Sequence, residues 1–570
     1  MNPYFPVYTG QAECQDCYKC VRNCSAKAIR ISDGKASVIQ EKCILCGKCV
    51  EICPAGAKHI RSDTNRAKKL LQLKSKVFVS LAPSYINEFP EVKPEQLIAA
   101  LKKLGFYGVS ETALGAQEVS SHVARHLQTS GGINISSACP TAVQLIKKYH
   151  PEYSKNILKF HSPVLAHAGL LKEKYGDDIA IIFVSPCIAK KYESDQFFSL
   201  VQISLTFQGL RNWFEEENID LMNIKFDKND KFLPHRAEEG TLYPIEGGMI
   251  AGIKSDCSLN DKNFMSFSGI EEISSALDGL KSIEKEENLF IELLACKGGC
   301  INGPAMKNKS ATGLKRYQII KNSSQPKVSV PREPRIDIYN NHPVEAVRLT
   351  KYTENQITKI LKKIGKHNLT DLINCGGCGY NSCKEFAEAL LDGFAEKEMC
   401  VTYMRQLAQK KANALLKTMP SGVVIVDEEL KIVECNENFA NILGEDTEMI
   451  FEGVPGLKGA SLDKIIPFAN HFETVLKTGN DLLNKDIKIN NSIIHGSIFT
   501  IEKHRIIGGI FQDITAPAMY KNNVMTKTKK VIEKNLETVQ KIAYLLGENA
   551  SETEIMLDSI IHSFSTEQEQ

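Results

Sequence analysis

Four cysteines spaced C-x2-C-x2-C-x3-C (Cys14, Cys17, Cys20 and Cys24) recur as Cys43, Cys46, Cys49 and Cys53, with Pro54 after the last. This pair of runs constrains the chain more than any hydrophobic pattern in it. Three thiols in a tight loop wrap one corner of an iron–sulfur cubane, and the fourth of each run crosses to the other cluster. The spacing therefore gives one [4Fe–4S] cluster to Cys14, Cys17, Cys20 and Cys53, and a second to Cys43, Cys46, Cys49 and Cys24. Ser25 follows the first run where the second has its proline. Structural zinc is the alternative, but zinc favours two C-x2-C pairs with a long spacer, and two triplets with a distal fourth match that poorly. Such a module, over residues 1–70, moves electrons one at a time.

At 570 residues the chain is too long for one core, so about three to five domains are expected. Its 70 Lys and Arg balance 68 Asp and Glu, which gives no global attraction to nucleic acid or to an anionic membrane. The pairs Lys68-Lys69 and Lys102-Lys103 read as solvated helix faces. The opening MNPYFPVYTG lacks a charged stretch followed by an apolar one, so no signal peptide is expected. The run from Ile179 to Val184 is too short to span a bilayer. A cytoplasmic location follows as an expectation. There, 18 cysteines point to metal rather than disulfides.

From about Lys76 to Tyr352, strand-like runs alternate with helix-like ones. VFVSLAP, IAIIFVSPC and LFIELLAC read as buried strands, and PEQLIAALKKLGF as an amphipathic helix ending near Gly105. Strands ending in reactive residues and joined by helices suggest α/β lobes with a site at the carboxyl ends. Three segments deliver cysteines there: Cys139, Cys187, and Cys296 with Cys300. Any one of them alone reads as a buried small hydrophobe. Four at comparable loop positions make the count for a cubane. The glycines of CKGGC are expected to let backbone approach a cofactor.

SSACP, SPCIAKKYE and ELLACKGGCINGP, in this order, resemble the three signature motifs of [FeFe]-hydrogenases. With the two-cluster ferredoxin module the resemblance covers roughly residues 10 to 310. It implies a two-lobed α/β domain over 76–355 holding an H-cluster: a [4Fe–4S] cubane bridged to a di-iron centre with CO, cyanide and an azadithiolate. By position, Cys139, Cys187, Cys296 and Cys300 ligate the cubane, and Cys300 bridges to the di-iron part. Lys190 matches the lysine that hydrogen-bonds a cyanide, a role suited to a cationic donor. Glu193 matches the glutamate of the second motif. Ala82, Pro83 and Ser84 line the other cyanide, with Pro186 and Leu294 nearby.

The chain departs from the family at telling places. The cysteine that passes protons to the azadithiolate is replaced by Ala138. Ser185 and Leu294 stand where methionines are usual. Asn302-Gly303-Pro304-Ala305-Met306 replaces a glycine-rich tail, and Thr141-Ala142 a tryptophan region. A proton relay contributes about 10²–10⁴-fold to a rate, so its loss leaves H2 binding with slow turnover. Glu193, Cys257 and Ser185 are candidates for a substitute.

Beyond the lobes, Cys375, Cys378, Cys383 and Cys400 read C-x2-C-x4-C-x16-C. They resemble a small helical four-cysteine iron–sulfur domain over 356–410, with zinc the alternative. Residues 411–518 carry GVVIVD, LKIVECN, ENFANILG and three later strand-like runs, an antiparallel α+β pattern. This resembles a PAS domain, down to Asp513-Ile514-Thr515. His471 reads as surface or core rather than a haem ligand, and Cys435 as structural. The tail, 519–570, shows a heptad seam: Ile532, Leu536, Val539, Ala543, Leu546, Ala550, Thr553, Leu557, Ile560 and Phe564. It reads equally as a helix packed on its own domain or as a signalling coiled coil.

The expected whole is multidomain, α/β and α+β. The expected function is a sensory hydrogenase that slowly and reversibly oxidises H2 and relays the redox signal through iron–sulfur clusters to the PAS and helical region. The implied partners are H2 and protons, a ferredoxin or other redox protein, a separate effector, and a second copy through the PAS or tail helices. The competing readings are a fully active ferredoxin-dependent hydrogenase and an iron–sulfur scaffold without hydrogen chemistry.

Overall fold

The computed structural model describes residues 5–256, 263–282, 288–324, 333–348, 350–489, 492–515, 530–542 and 544–545. The chain divides into two compact units, Met1–Glu396 and Lys397–Gln570.

In the first unit the two cysteine runs fold alike. Each triplet enters a short helix, Lys19–Arg22 and Lys48–Ile52, through a left-handed residue, Tyr18 at φ 53° and Gly47 at φ 78°. Val7–Thr9 pairs with Lys58–Ile60, and Ile29–Ser32 with Lys35–Val38, both antiparallel. Gly47 is needed for more than its φ: a Cβ there would lie 2.6 Å from Ile188 Cδ1 and from Pro304 Cβ. The second cysteine loop is thereby pressed against the lobes.

The apolar runs of the lobes form two parallel sheets. One has the order Gly108–Glu111, Val77–Leu81, Ala180–Ser185, Ile203–Thr206, and the other Asn263–Ser268, Leu289–Leu294, Ile133–Ile135. Val77–Leu81, Ala180–Ser185 and Leu289–Leu294 are buried along their whole length, as strands covered on both faces must be, and this is why they are continuous apolar runs in sequence. Parallel pairing puts every carboxyl end of a sheet at one edge, so the segments after Leu81, Ser185, Ile135 and Leu294 meet. The helix expected from PEQLIAALKKLGF spans Pro94–Lys103, with proline in its first turn, where the missing N–H costs nothing.

The Cys375 region follows in the same unit, with helices Glu354–Lys363 and Cys383–Leu391. Thr353 and Gln356 form a capping box at the first, and Ser382 Oγ accepts the Glu385 N–H at the second.

The second unit opens with helix Val401–Thr418. Its five-stranded antiparallel sheet has the order Ile432–Cys435, Gly422–Val426, Ile506–Asp513, Ser492–Glu502, Leu482–Ile489. Phe439, Phe468, Phe472 and Phe511 fill one core of this unit. Ala412, Leu416, Met419, Val423, Phe499 and Ile510 form a second core with Val539 and Ile542 of the tail. Ile532 is also buried, and Asn535 Nδ2 donates to Ser421 Oγ. The described part of the tail is thus a helix packed on its own sheet. Its seam follows Ile532, Leu536 and Val539 and then uses Ile542. Ala543, Leu546, Ala550, Thr553, Leu557, Ile560 and Phe564 lie outside the described residues. Among the described residues no helix is long and apolar enough to cross a membrane.

Candidate active site

Where the carboxyl ends of the two sheets face each other they enclose a cavity of about 110 Å³. Its lining brings together Ala82, Pro83, Ser84, Ala138, Cys139, Ser185, Pro186, Cys187, Lys190, Leu294, Cys296 and Cys300. Every one of these was a candidate from the sequence. Local chemistry fixes each loop. Ser136 Oγ accepts the Ala138 N–H at 3.2 Å, and Ser185 Oγ accepts the Cys187 N–H at 3.2 Å. In both loops the serine two residues back closes a turn before the cysteine. Pro140 then starts helix Pro140–Tyr149 directly after Cys139. The glycines of CKGGC are closely packed against the protein. Gly298 (φ 76°) and Gly299 (φ 101°) take left-handed backbone, and a Cβ on Gly299 would sit 2.2 Å from the Pro244 carbonyl oxygen. A Cβ on Gly298 would sit 2.8 Å from Thr312 Cγ2.

The lining is mostly apolar, with two polar atoms that lack partners, on Ser84 and Glu292. Ser84 lines the cavity, and its Oγ is buried and unbonded. Burial raises Cys187 to about 11, with Cys139 adding to it, and raises Cys296 and Cys300 further beside their fellow thiols. Four crowded thiols in an apolar wall become thiolates only against compensating positive charge, which is the chemistry of an iron cluster. A lone donor such as Ser84 likewise suits an anionic cyanide. The donor set therefore fits the group the sequence implied. Among the described residues no three His, Cys, Asp or Glu side chains are disposed around a single ion. A cubane, unlike an ion, holds its sulfur ligands apart on the outside of a box.

Lys190 Nζ donates to Ser162 Oγ and to Glu193 Oε2, both at 2.7 Å, and Ser162 Oγ donates to Glu193 Oε2 at 3.0 Å. Glu193 thus steadies Lys190 from behind and lines a second cavity instead of the first. Cys257 lies outside the described residues.

One residue here was missed by sequence reasoning. Glu292 is the only carboxylate among the lining residues of the main cavity. It is 1 % exposed; its Oε1 accepts the Met249 N–H at 3.2 Å, while its Oε2 has no partner. Burial raises its pKa to about 7. Ser266 lies opposite it in the strand pair. Two residues on, Ser268 Oγ donates to Glu246 Oε2 at 2.6 Å, and Ser266 and Glu246 are both partly exposed. A lone acid inside the apolar strand LFIELL was the available signal.

The ferredoxin-like cysteines also gather as two sets. Cys14, Cys17, Cys20 and Cys53 surround one small cavity. Cys49 has the thiols of Cys43, Cys46 and Cys24 as neighbours, with Lys58 the nearby cation. Burial raises Cys43 to about 12. Cys296, in the main cavity, feels Cys46. Tyr149 Oη, at the far end of the helix that starts after Cys139, donates to the carbonyls of Ala26 and Lys42. Cys375, Cys378 and Cys383 lie in the first unit, and Cys400 is the residue before helix Val401–Thr418 in the second. Cys435 is a buried strand residue, and His471 sits in helix Ala469–Thr478.

The chain is similar in sequence to known proteins. Residues 75–304 match the family described as the C-terminal domain of the iron only hydrogenase large subunit. Residues 36–59 match a 4Fe-4S binding domain, 373–402 an Fe-S cluster family, and 411–478 a PAS domain. Iron hydrogenase 1 of Clostridium pasteurianum is 23% identical over 324 residues, 47% of this chain and 56% of its own. The periplasmic [Fe] hydrogenase large subunit of Nitratidesulfovibrio vulgaris is 24% identical over 259 residues, 36% of this chain and 61% of its own. The alignments thus span just over half to three-fifths of these relatives. A variant of the [FeFe]-hydrogenase HydA1 from Chlamydomonas reinhardtii aligns over 50% of this chain and 100% of its own, at 16% identity and a TM-score of 0.40. The match to the C-terminal domain of the iron only hydrogenase large subunit is thus carried in one chain with a 4Fe-4S match before it and Fe-S cluster and PAS matches after it.

Proposed function

We propose that the chain is a sensory [FeFe]-hydrogenase, which binds and slowly, reversibly oxidises H2 and passes the electrons to its own C-terminal domains. The carrying observation is Ala138: a methyl group lines the cavity where a proton carrier is needed, while four thiols, Lys190 and Ser84 line it as a loaded site requires. In this reading Cys139, Cys187, Cys296 and Cys300 hold a cubane. Ala82, Pro83, Ser84, Pro186, Lys190 and Leu294 hold the di-iron part, and Glu193 and Ser162 orient Lys190. Two further cubanes belong to the N-terminal runs as assigned above, and one to Cys375, Cys378, Cys383 and Cys400. When bound, the di-iron centre supplies heterolytic cleavage of H2. The protein excludes water with its apolar wall, donates hydrogen bonds from Lys190 Nζ and Ser84 Oγ, and takes up the proton at a residue other than 138. A cytoplasmic protein that reports H2 to a separate effector, alone or as a homodimer, is consistent with the PAS domain.

Glu292 supports a second reading, an efficient ferredoxin-dependent hydrogenase. Its free Oε2 borders the cavity and its pKa of about 7 suits a general acid–base. One experiment separates the two. The cofactor-loaded protein is examined by infrared spectroscopy with and without H2, and its turnover is measured. CO and cyanide bands that shift with H2 at low turnover support the sensor. The same shifts with fast turnover favour the efficient enzyme. No bands after loading, with the other clusters intact, overturns both.

A further inference from the structure

The Cys375 loop is docked on the N-terminal module, and it meets one cysteine run in particular. Gly379 (φ 89°) packs so closely that a Cβ there would lie 2.9 Å from the Arg22 backbone nitrogen and from Val21 Cγ1. Lys27 Nζ donates to the Gly379 carbonyl at 2.7 Å, and the Ile31 N–H donates to the Phe394 carbonyl at 2.9 Å. The Phe394 ring lies under Lys42 Nζ and the Arg30 guanidinium, 4.1 and 5.2 Å from its centroid. Glu396 accepts the N–H groups of Asp33 and Gly34.

Arg22 is the residue at the seam. Its Nη2 donates to the Cys17 carbonyl at 2.9 Å, while its Nη1 is buried without a partner. The thiols of Cys17, Cys20 and Cys378 all act on its charge. A buried guanidinium N–H without a partner is destabilising. Anionic clusters on both sides complete it, since a cubane core of charge 2+ with four thiolates is a dianion. The other cluster reaches the Cys375 loop through Cys24, which acts on Tyr380, whereas Arg22, bonded to the Cys17 carbonyl, has its backbone nitrogen directly against Gly379.

We propose that the cluster of Cys14, Cys17, Cys20 and Cys53, not that of Cys24, Cys43, Cys46 and Cys49, exchanges electrons with the Cys375–Cys378–Cys383 site, across a junction made by Arg22 and Gly379. This deepens the proposed function and rests on its reading that these cysteines hold cubanes. The second-run cluster is turned to the lobes through Gly47, so the order runs main cavity, second run, first run, Cys375 site. Each step moves one electron: the donor core goes from 1+ to 2+ and the acceptor from 2+ to 1+. No proton or atom is transferred. The electrons come from H2 in the working protein and from dithionite in the test.

Arg22 is the positioning residue of this step. A cation favours the reduced, more negative cluster, so its removal lowers the reduction potential of each cluster it faces. The test uses the full chain with cubanes reconstituted, without H2 and without the di-iron cofactor, so that it stands or falls separately from H2 chemistry. Midpoints and spin–spin splittings are read by electron paramagnetic resonance during stepwise reduction. Arg22→Gln shifts two midpoints to more negative potential and leaves the rest in place. Cys383→Ala removes one of those two signals, and Cys17→Ser alters the other. Gly379→Val keeps its iron but loses the splitting between them. The proposal is overturned if Arg22→Gln shifts one midpoint only, or if the signal that Cys49→Ser alters is one of the shifted pair. It is equally overturned if Cys383→Ala leaves all splittings unchanged.

Discussion

A methyl group at 138 and an unpaired carboxylate oxygen at 292 border the same cavity, and under the proposed function they bear on how protons would reach it. Ala138 has no proton to give, and its N–H is spent on Ser136 Oγ. Its neighbours hold the loop, so a thiol added at this Cβ points into space the wall already shapes. Ala138→Cys is expected to raise turnover of the loaded protein by about 10²-fold, within the range of a restored relay, as measured by H2 uptake with an artificial acceptor. Glu292→Gln keeps the shape and the Met249 contact but removes the titrating group. The residual turnover of the unaltered chain then falls by at least about tenfold, and the Ala138→Cys background is insensitive to it. Equal losses in both backgrounds assign Glu292 a packing role only.

At the scale of elements, the tail helix and helix Val401–Thr418 share one buried face of the PAS sheet, with Val539 at 1 % and Ile542 at 2 % exposure. Val539→Asp puts a charge into that core without a partner. It is expected to cost roughly 2–4 kcal/mol and to raise hydrogen exchange in Gly422–Val426 and Ile506–Asp513, whose other face is packed by separate residues. Exchange confined to the tail would mean that the sheet does not depend on its cover. This core also shows what a sequence carries. The seam of Ile532, Leu536 and Val539 was legible as periodicity, but not whether a second helix or a sheet fills it, because both present an apolar strip. Buried parallel strands were legible as unbroken apolar runs, and the cysteine sets as spacing. Glu292 was hidden, since its meaning depends on Met249 and Ser266, distant in sequence. The glycines of CKGGC were legible as special backbone, while the Pro244 carbonyl packed against Gly299 was not. Glu193 carried a motif match, yet only the fold reveals that it faces Lys190 from behind.

Across the whole first unit, one buried carboxylate ties the N-terminal module to the lobes. Asp63, 1 % exposed, accepts from Lys191 Nζ at 2.8 Å, Arg66 Nη1 at 2.7 Å and Arg61 Nε at 3.1 Å. Lys191 also donates to the Ser204 carbonyl at the end sheet strand, and Arg61 reaches Asp195. Lys191 adjoins Lys190, so this knot sets where the ferredoxin-like clusters stand relative to the cavity. Burial pushes the Asp63 carboxyl up, but the three cations together outweigh it and hold the group below its ordinary 3.8. A depressed carboxyl pKa contributes stability that is present above the unfolded value and lost as pH falls through the folded one. The contribution is therefore whole at neutral pH and declines only below 3.8. Asp63→Asn leaves Lys191 buried without its counter-charge, a loss of about 3–5 kcal/mol. In denaturant unfolding, the gap between the two proteins is expected to stay flat from about pH 8 to pH 4.5, because the group does not titrate in that window. A gap that narrows already between pH 7 and pH 5 would place the Asp63 titration there and refute the three-cation account. A flat gap with slowed electron transfer from cavity to module makes Asp63 the anchor that keeps the clusters in reach of one another.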